Sequence, residues 1–308
     1  MSDIGNAAVL NKKKLKDGMI KSRKTRAGDL VIAGICFILM LVCILPMLHV
    51  LASSLSSADA LVRNEVFIWP KGWNVEAYRT VLTTEKYVHS MGWTAILTVI
   101  CTLLSITLTI MCAYPLTYTN LRGGKFINFI ILFTMYFSAG TIPYYLLLSQ
   151  MKMLNTPYAL IFPNCIGVFN VIIMRSFFFG VPDSLKEAAE IDGAGPIRIL
   201  IKVYLPLSLP VIATLSLFYA VGRWNAYADN KYYITKEGLK MIQYKLYQLV
   251  SSATEAQTAT LSEAIEVTST PEVLQAACIM FTTLPIICIY PFLQKYFVKG
   301  VMVGAVKG

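Results

Sequence analysis

Charge is what this sequence has least of. Charged side chains make up 14% of its 308 residues, only 17 of them are Asp or Glu, and His occurs twice. Apart from Asp29, the longest apolar stretches hold no Asp or Glu at all. Proton-coupled carriers commonly bury carboxylates or other titratable groups in their spans, so proton coupling loses ground. No G-x-x-x-x-G-K-[ST] loop occurs, so ATP is not bound here through that motif. H-E-x-x-H, G-x-S-x-G and C-x-x-C are missing too, and His49 and His89 stand alone at the edges of apolar stretches. The seven cysteines (Cys36, Cys43, Cys101, Cys112, Cys165, Cys278, Cys288) fall within apolar stretches, without the spacing of a disulfide framework or a metal site. They read as small apolar packing residues.

What is present is hydrophobic: 56% of residues, with a mean hydropathy of +0.61. A helix that crosses a hydrocarbon core of about 30 Å needs roughly 20 predominantly apolar residues. Six stretches meet that length, at about 29–51, 90–118, 126–148, 157–179, 204–222 and 273–294. The expected fold is therefore an all-α membrane protein of six transmembrane helices. The first stretch follows KKKLKDGMIKSRKTR and is too long for the core of a cleaved signal peptide, so it is expected to remain as an anchor. Lys12 to Arg26 place the N-terminus in the cytoplasm by the positive-inside rule. Alternation then brings Arg122 and Lys125, the loop around Lys186, Arg198 and Lys202, and Lys295, Lys299 and Lys307 to the same side. The net charge of +10 is explained by this topology, since no nucleic-acid module is recognisable.

The expected organisation is a basic cytoplasmic arm (1–28), a six-helix domain (29–296) and a cytoplasmic tail (297–308). Two outer connections are long, 52–89 and 223–272. The first carries Trp69, Pro70 and Trp73, which suits a structured loop at membrane-interface depth. The second contains an amphipathic stretch, LKMIQYKLYQLV (239–250), that either lies on the membrane surface or docks a partner. SSATEAQTATLSEAIEVTST is polar and reads as a mobile loop. No internal repeat is visible. On the inner side YTNLRGGKF is a tight glycine turn, and the loop at about 180–203 is long enough to carry its own helix.

That loop reads VPDSLKEAAEIDGAGPIRILIKVYLPLSLP. Pro182 stops what precedes it, and Ser184 with Glu187 matches a capping box, so a short helix is expected to begin there. Gly193 fits a left-handed C-terminal cap, and Pro196 the first turn of the next helix. By these signals alone the segment is a short capped connector, with small side chains at Ala188, Ala189 and Ala194.

The segment also resembles a known signature. EAA-x3-G-x9-I-x-LP marks the integral membrane subunits of bacterial ABC importers, and Glu187, Ala188, Ala189, Gly193, Leu205 and Pro206 are in register, with Val203 for the usual Ile. IDGAG (191–195), LPLSLPVIATLSLFYAVGRWN (205–225) and QKYFVKGVMVGAVKG (294–308) are similar to the second, MalG-like permease of maltose-type and oligosaccharide importers, particularly the LplC and YtcP group. The likeness covers the chain from residue 29 onward. It implies the type I importer permease fold and a cytoplasmic coupling helix seated in a groove of an ATPase subunit, with Glu187, Ala188, Ala189, Asp192 and Gly193 as docking elements. Lys299, Gly300, Gly304, Lys307 and Gly308 would add to that interface, or simply form a frayed end. The implied partners are a homologous second permease, two ATPase subunits that hold ATP and Mg, an extracellular solute-binding protein, membrane lipid and an oligosaccharide. The chain itself would hold no cofactor, and its place would be the bacterial plasma membrane.

A path for sugars should combine aromatic rings with amides and hydroxyls. Tyr136, Ser138, Asn164, Asn170 and Tyr219 are the candidates within the spans, although such side chains also serve as links between helices. At the outer end of the fifth span, Arg223, Trp224 and Asn225 are placed to meet an arriving sugar. Arg223 either pairs with a uronate carboxylate, which would suit an acidic oligosaccharide, or anchors the helix at the headgroups. Two other classes stay open at this point: a self-sufficient channel or secondary carrier, and a membrane-embedded enzyme.

Overall fold

In the computed structural model, residues 3–118, 120–259 and 271–305 are described, with the side chains of 28–118, 120–251, 271–289 and 291. Every regular element among them is helical. The chain divides into two compact units, Met1–Asn74 and Val75–Gly308.

The first unit is a long helix, α1 (Asp3–Ser54), followed by a short one, α2 (Ala58–Val62). Gly28–Ser54 is long and apolar enough to cross a membrane. All described side chains from Gly28 to His49 are exposed, as suits a helix whose surroundings are lipid or other apolar protein. Residues 55–74 form an ordered loop. Ser57 N donates to Lys71 O, Asn74 N to Leu55 O and Lys71 N to Ser56 Oγ. Trp69 and Trp73 remain largely exposed.

The second unit begins with α3 (Glu76–Thr83) and α4 (Glu85–Ala113), which a 3-10 turn at Pro115–Thr117 extends. It continues through α5 (Gly124–Tyr136), α6 (Thr141–Gln150), α7 (Tyr158–Ile161), α8 (Val168–Phe179) and α9 (Asp183–Ile191). Then come α10 (Pro196–Ile199), a π turn at Leu200–Tyr204, α11 (Leu205–Leu207), α12 (Leu209–Asn225), α13 (Ala228–Tyr233), α14 (Ile242–Ala259) and α15 (Pro271–Ala305). The centre is α4, which packs against α8, α12 and α14, while α15 lies against α3, α12 and α14. Small hydroxyl residues on α4 allow this close packing. Ser90, Thr94, Thr98, Ser105 and Thr109 are all buried, and Thr94 and Thr98 return their hydroxyls to the carbonyl one turn earlier.

Among the described residues, three helices are long and apolar enough to span a membrane: Gly28–Ser54, Glu85–Thr117 and Pro271–Ile289. Three bent pairs, α5 with α6, α8 with α9, and Pro196–Leu207 with Leu209–Asn225, would make six spans if each counted as one, although the stretch expected at 157–179 is itself α7, a non-helical link at 162–167, and α8. The stretch expected at 126–148 is two helices, α5 and α6, meeting at 116°. Gly140, at φ 85°, takes the turn in a conformation that a side chain resists. The fifth breaks at Ser208, where Pro196–Leu207 and Leu209–Asn225 meet at 82°. Pro210 has no N–H to continue the ladder across that break. A further difference lies in the stretch from Ser251. Where a mobile loop is expected, α14 continues to Ala259, and 260–270 lie outside the described residues.

Candidate functional site

The loop that carries EAA forms α9 between two sharp boundaries. The helix begins two residues earlier than the capping box requires: Pro182 is its N-cap, Asp183 its first residue, and no side chain caps it. Ser184 therefore sits inside the first turn. The C-terminal end is as expected. Gly193 has φ +74°, Gly193 N donates to Glu190 O at 3.0 Å and Ala194 N to Ala189 O at 2.9 Å, which together make a Schellman motif. Gly195 then caps α10, with Pro196 at its first position.

This arrangement gives α9 an outward and a seated face. Glu187, Ala188, Asp192 and Gly193 are exposed, and Ile191 and Ile197 are 86% and 74% exposed. Ala189 and Ala194 instead pack on a core that includes Tyr114, Leu116, Phe178, Ile199 and Tyr204. The rings of Tyr114, Phe178 and Tyr204 meet edge to face at 5.2–6.3 Å. Tyr114 Oη shares a hydrogen bond with Tyr118 Oη (2.8 Å) and donates to Pro196 O (2.9 Å). Arg175 Nε donates to Leu116 O (2.9 Å), and the Lys186 ammonium lies 4.3 Å from the centre of the Tyr118 ring. The loop is thus fixed to the C-terminal end of α4 by directional bonds as well as apolar contact.

About two turns back along α4, Ser105 and Cys101 line a cavity of about 330 Å³. Leu160, Ile161, Asn164, Phe218, Tyr219, Gly222, Arg223 and Ala226 complete its wall. Tyr219 Oη shares a bond with Thr109 Oγ1 (2.7 Å) and accepts one from Gly167 N (3.0 Å), tying α4, α12 and the start of α8 together. Of the path residues expected within the spans, Asn164 and Tyr219 meet here. Asn170 is buried beside Gly167 and Tyr219, outside the cavity wall. Tyr136 and Ser138 sit at the α5–α6 bend, exposed, and do not line this cavity.

Arg223 departs most from expectation. It is buried, and its Nη1 donates to Asp229 Oδ2 (2.5 Å) and to Leu160 O (3.0 Å), while Nη2 donates to Met241 Sδ. Anchoring at headgroups does not fit a side chain enclosed in this way, and its charge is already matched by Asp229. Its Nε is buried without a partner, on a residue that lines the cavity. Around the pair, Asn230, fully buried, donates from Nδ2 to Leu239 O (3.0 Å) and accepts from Met241 N (3.3 Å). Trp93 Nε1 also reaches Leu239 O, and Ile242 N donates to Thr94 Oγ1. Asn155 Oδ1 accepts from Thr235 and Lys236. Trp224 is buried as well, its Nε1 donating to Thr282 O of α15 (3.1 Å), while Asn225 is exposed.

The amphipathic stretch at 239–250 is consumed by the same packing. Met241 and Ile242 are buried, and α14 lies on α4 and α15 rather than presenting its apolar face outward. Sequence reasoning passed over Ser105, Asp229 and Asn230. The available signal was an Asp six residues after an Arg, across a helix end. Of the tail residues, Lys307 and Gly308 lie outside the described residues; Lys299, Gly300 and Gly304 belong to the backbone of α15. Among the described residues no group of three or more His, Cys, Asp or Glu is placed to hold a metal ion.

Comparison with known proteins gives these features a context. Residues 105–303 match the family described as binding-protein-dependent transport system inner membrane component. The polygalacturonan/rhamnogalacturonan transport system permease protein YtcP of Bacillus subtilis (strain 168) is 38% identical over 286 residues, covering 92% of this chain and 100% of that protein. Protein LplC of the same organism is 38% identical over 292 residues, 92% of this chain and 97% of its own length. A chain in the crystal structure of a bacterial ABC transporter involved in the import of the acidic polysaccharide alginate superposes with a TM-score of 0.80 at 31% identity, covering 89% of this chain and 98% of the other.

Proposed function

The chain belongs to the family of binding-protein-dependent transport system inner membrane components and is a permease subunit of an ABC importer for an oligosaccharide, and we propose that it receives its driving force through α9 and passes the sugar along the cavity beside Arg223. It is a transport subunit, not an enzyme, and a multi-pass membrane protein that works with a second permease and a binding protein. The finer reading places both termini and α9 on the cytoplasmic side of a bacterial plasma membrane, with two ATPase subunits below that hold ATP and Mg.

One observation carries the proposal. The outward face of α9 is mounted on an aromatic core shared with the end of α4, and α4 also forms part of the cavity wall. A displacement imposed on Glu187, Ala188, Asp192 and Gly193 by a closing ATPase is therefore delivered to the helix that borders the path. Glu187 offers a carboxylate to basic or backbone donors of the groove, and Ala188 leaves room for close approach. Gly193 permits the sharp exit turn. The spans respond as rigid bodies, since packed interfaces hold one of two arrangements rather than deforming continuously. Lys299, Gly300, Gly304, Lys307 and Gly308 add contacts at the same ATPase surface.

Asn164, Tyr219, Ser105 and the free Nε of Arg223 suit hydroxyl groups and ring oxygens of a sugar. Tyr136 and Ser138, exposed at a helix bend, and Asn170, Trp224 and Asn225 belong to the path only in another arrangement of the spans. Proteoliposomes containing the permease pair, with and without the ATPase subunits and the binding protein, test the proposal. Oligosaccharide uptake should require all components and ATP. Uptake by this chain alone, or uptake indifferent to ATP, would overturn it.

A further inference from the structure

A second cavity, of about 640 Å³, lies between the N-terminal end of α4 and α14. Its size is within the range of about 300–1,000 Å³ usual for small-molecule sites. Thr84, Lys86, Tyr87, Lys245, Tyr247, Gln248, Leu249 and Ser251 line it, so that nearly every wall residue carries a hydroxyl, an amide or an ammonium group. No carboxylate among the described residues is in the wall. Glu237, outside it, pairs with both Lys240 and Lys245. No carboxylate among the described residues lies within ion-pair distance of Lys86, which is exposed. Burial, with the Lys86 ammonium as a second cause, lowers the pKa of Lys245, so two like charges face one space, Lys245 with Glu237 as its partner and Lys86 with no carboxylate partner among the described residues.

We propose that this cavity receives the acidic residues of an oligosaccharide, with Lys86 and Lys245 holding a uronate carboxylate while Thr84, Gln248 and Ser251 hydrogen-bond ring hydroxyls. The inference rests on the reading above that the chain imports an oligosaccharide and that this end of α4 faces outward. Two ammonium groups attract a carboxylate by charge, and neutral amides and hydroxyls satisfy the sugar's remaining polar groups without adding charge of either sign. Tyr87 supplies an apolar face for the C–H side of a ring. The assignment also moves acid recognition away from Arg223, whose guanidinium is occupied by Asp229. A chain delivered here would reach the cavity beside Arg223 further along α4, where uncharged contacts take over.

The test compares trigalacturonate with its methyl ester, identical in shape but uncharged, binding to the purified complete importer in phosphatidylcholine nanodiscs. The wild type should prefer the acid. Lys86→Gln should weaken acid binding roughly tenfold, the loss expected of one charge-assisted hydrogen bond in a half-open cavity, with ester binding unchanged. Lys86→Glu should reverse the preference, and because Lys86 is exposed neither variant should alter the fold. Lys245→Met adds a second reading at the buried position. Equal binding of acid and ester by the wild type, no binding of either, or an acid preference that survives Lys86→Glu would overturn the site. ATP-driven uptake of a neutral oligosaccharide is measured in parallel. If it persists while the acid preference is absent, the proposed site fails and the importer reading stands; if no oligosaccharide is taken up, the importer reading fails as well.

Discussion

The two ends of the second unit solve opposite problems. At the α9 end, the chain leaves polar and small residues in the open on a short helix and fixes that helix from beneath with an aromatic core. At the α13 end it does the reverse, drawing Arg223, Asp229 and Asn230 inside and closing backbone and side chains over them. The first arrangement suits a surface that another protein grips. The second suits a rigid frame around the mouth of a path, because a buried ion pair held by several directional hydrogen bonds tolerates little displacement. Damage at the α13 end should therefore register in stability, and damage at the α9 end in coupling.

The largest expected effect is that of Asp229→Asn, which leaves the Arg223 charge buried and unmatched. The destabilisation should be about 3–5 kcal/mol, read as a fall in the melting temperature of the purified complex. A melting curve like that of the wild type would show that the pair does not hold this end together. Asn230→Ala removes an amide that joins Leu239 O to Met241 N, with an expected cost of about 1–3 kcal/mol by the same measurement. Tyr219→Phe keeps the ring but loses the links to Thr109 and Gly167, at about 1 kcal/mol, and transport should slow because the cavity wall loses its hydroxyl. Ala188→Trp, on the exposed face of α9, should change stability by less than about 0.5 kcal/mol. If it instead lowered stability as much as Asp229→Asn, the contrast between the two ends would collapse.

The same contrast explains what could be read in advance. The short helix at 183–191, its glycine exit and the proline at 196 follow from local signals, since each depends on residues within a turn of one another. The missed detail is local as well: Pro182, at φ −59° and ψ 131°, starts the helix at Asp183, two residues too early for Ser184 to cap it. Hydropathy located the apolar stretches but not their bends, because Phe137 to Gly140 are apolar or small and pass unnoticed in any average. The frame around Arg223 was illegible for a different reason. Its bonds join residues 63 apart (Arg223 to Leu160) and 146 apart (Trp93 to Leu239), and only the folded chain reveals them. The pairing with Asp229, six residues away, was within reach, yet a cation at a helix end near the membrane surface reads first as an anchor.

The most direct measurement is ATP-driven oligosaccharide uptake by the reconstituted importer carrying Ala188→Trp, alongside capture of the ATPase subunits by the same complex. The permease should insert and melt like the wild type while the ATPase is released or its hydrolysis no longer drives uptake. Normal ATPase capture together with normal uptake would mean that force does not enter through α9.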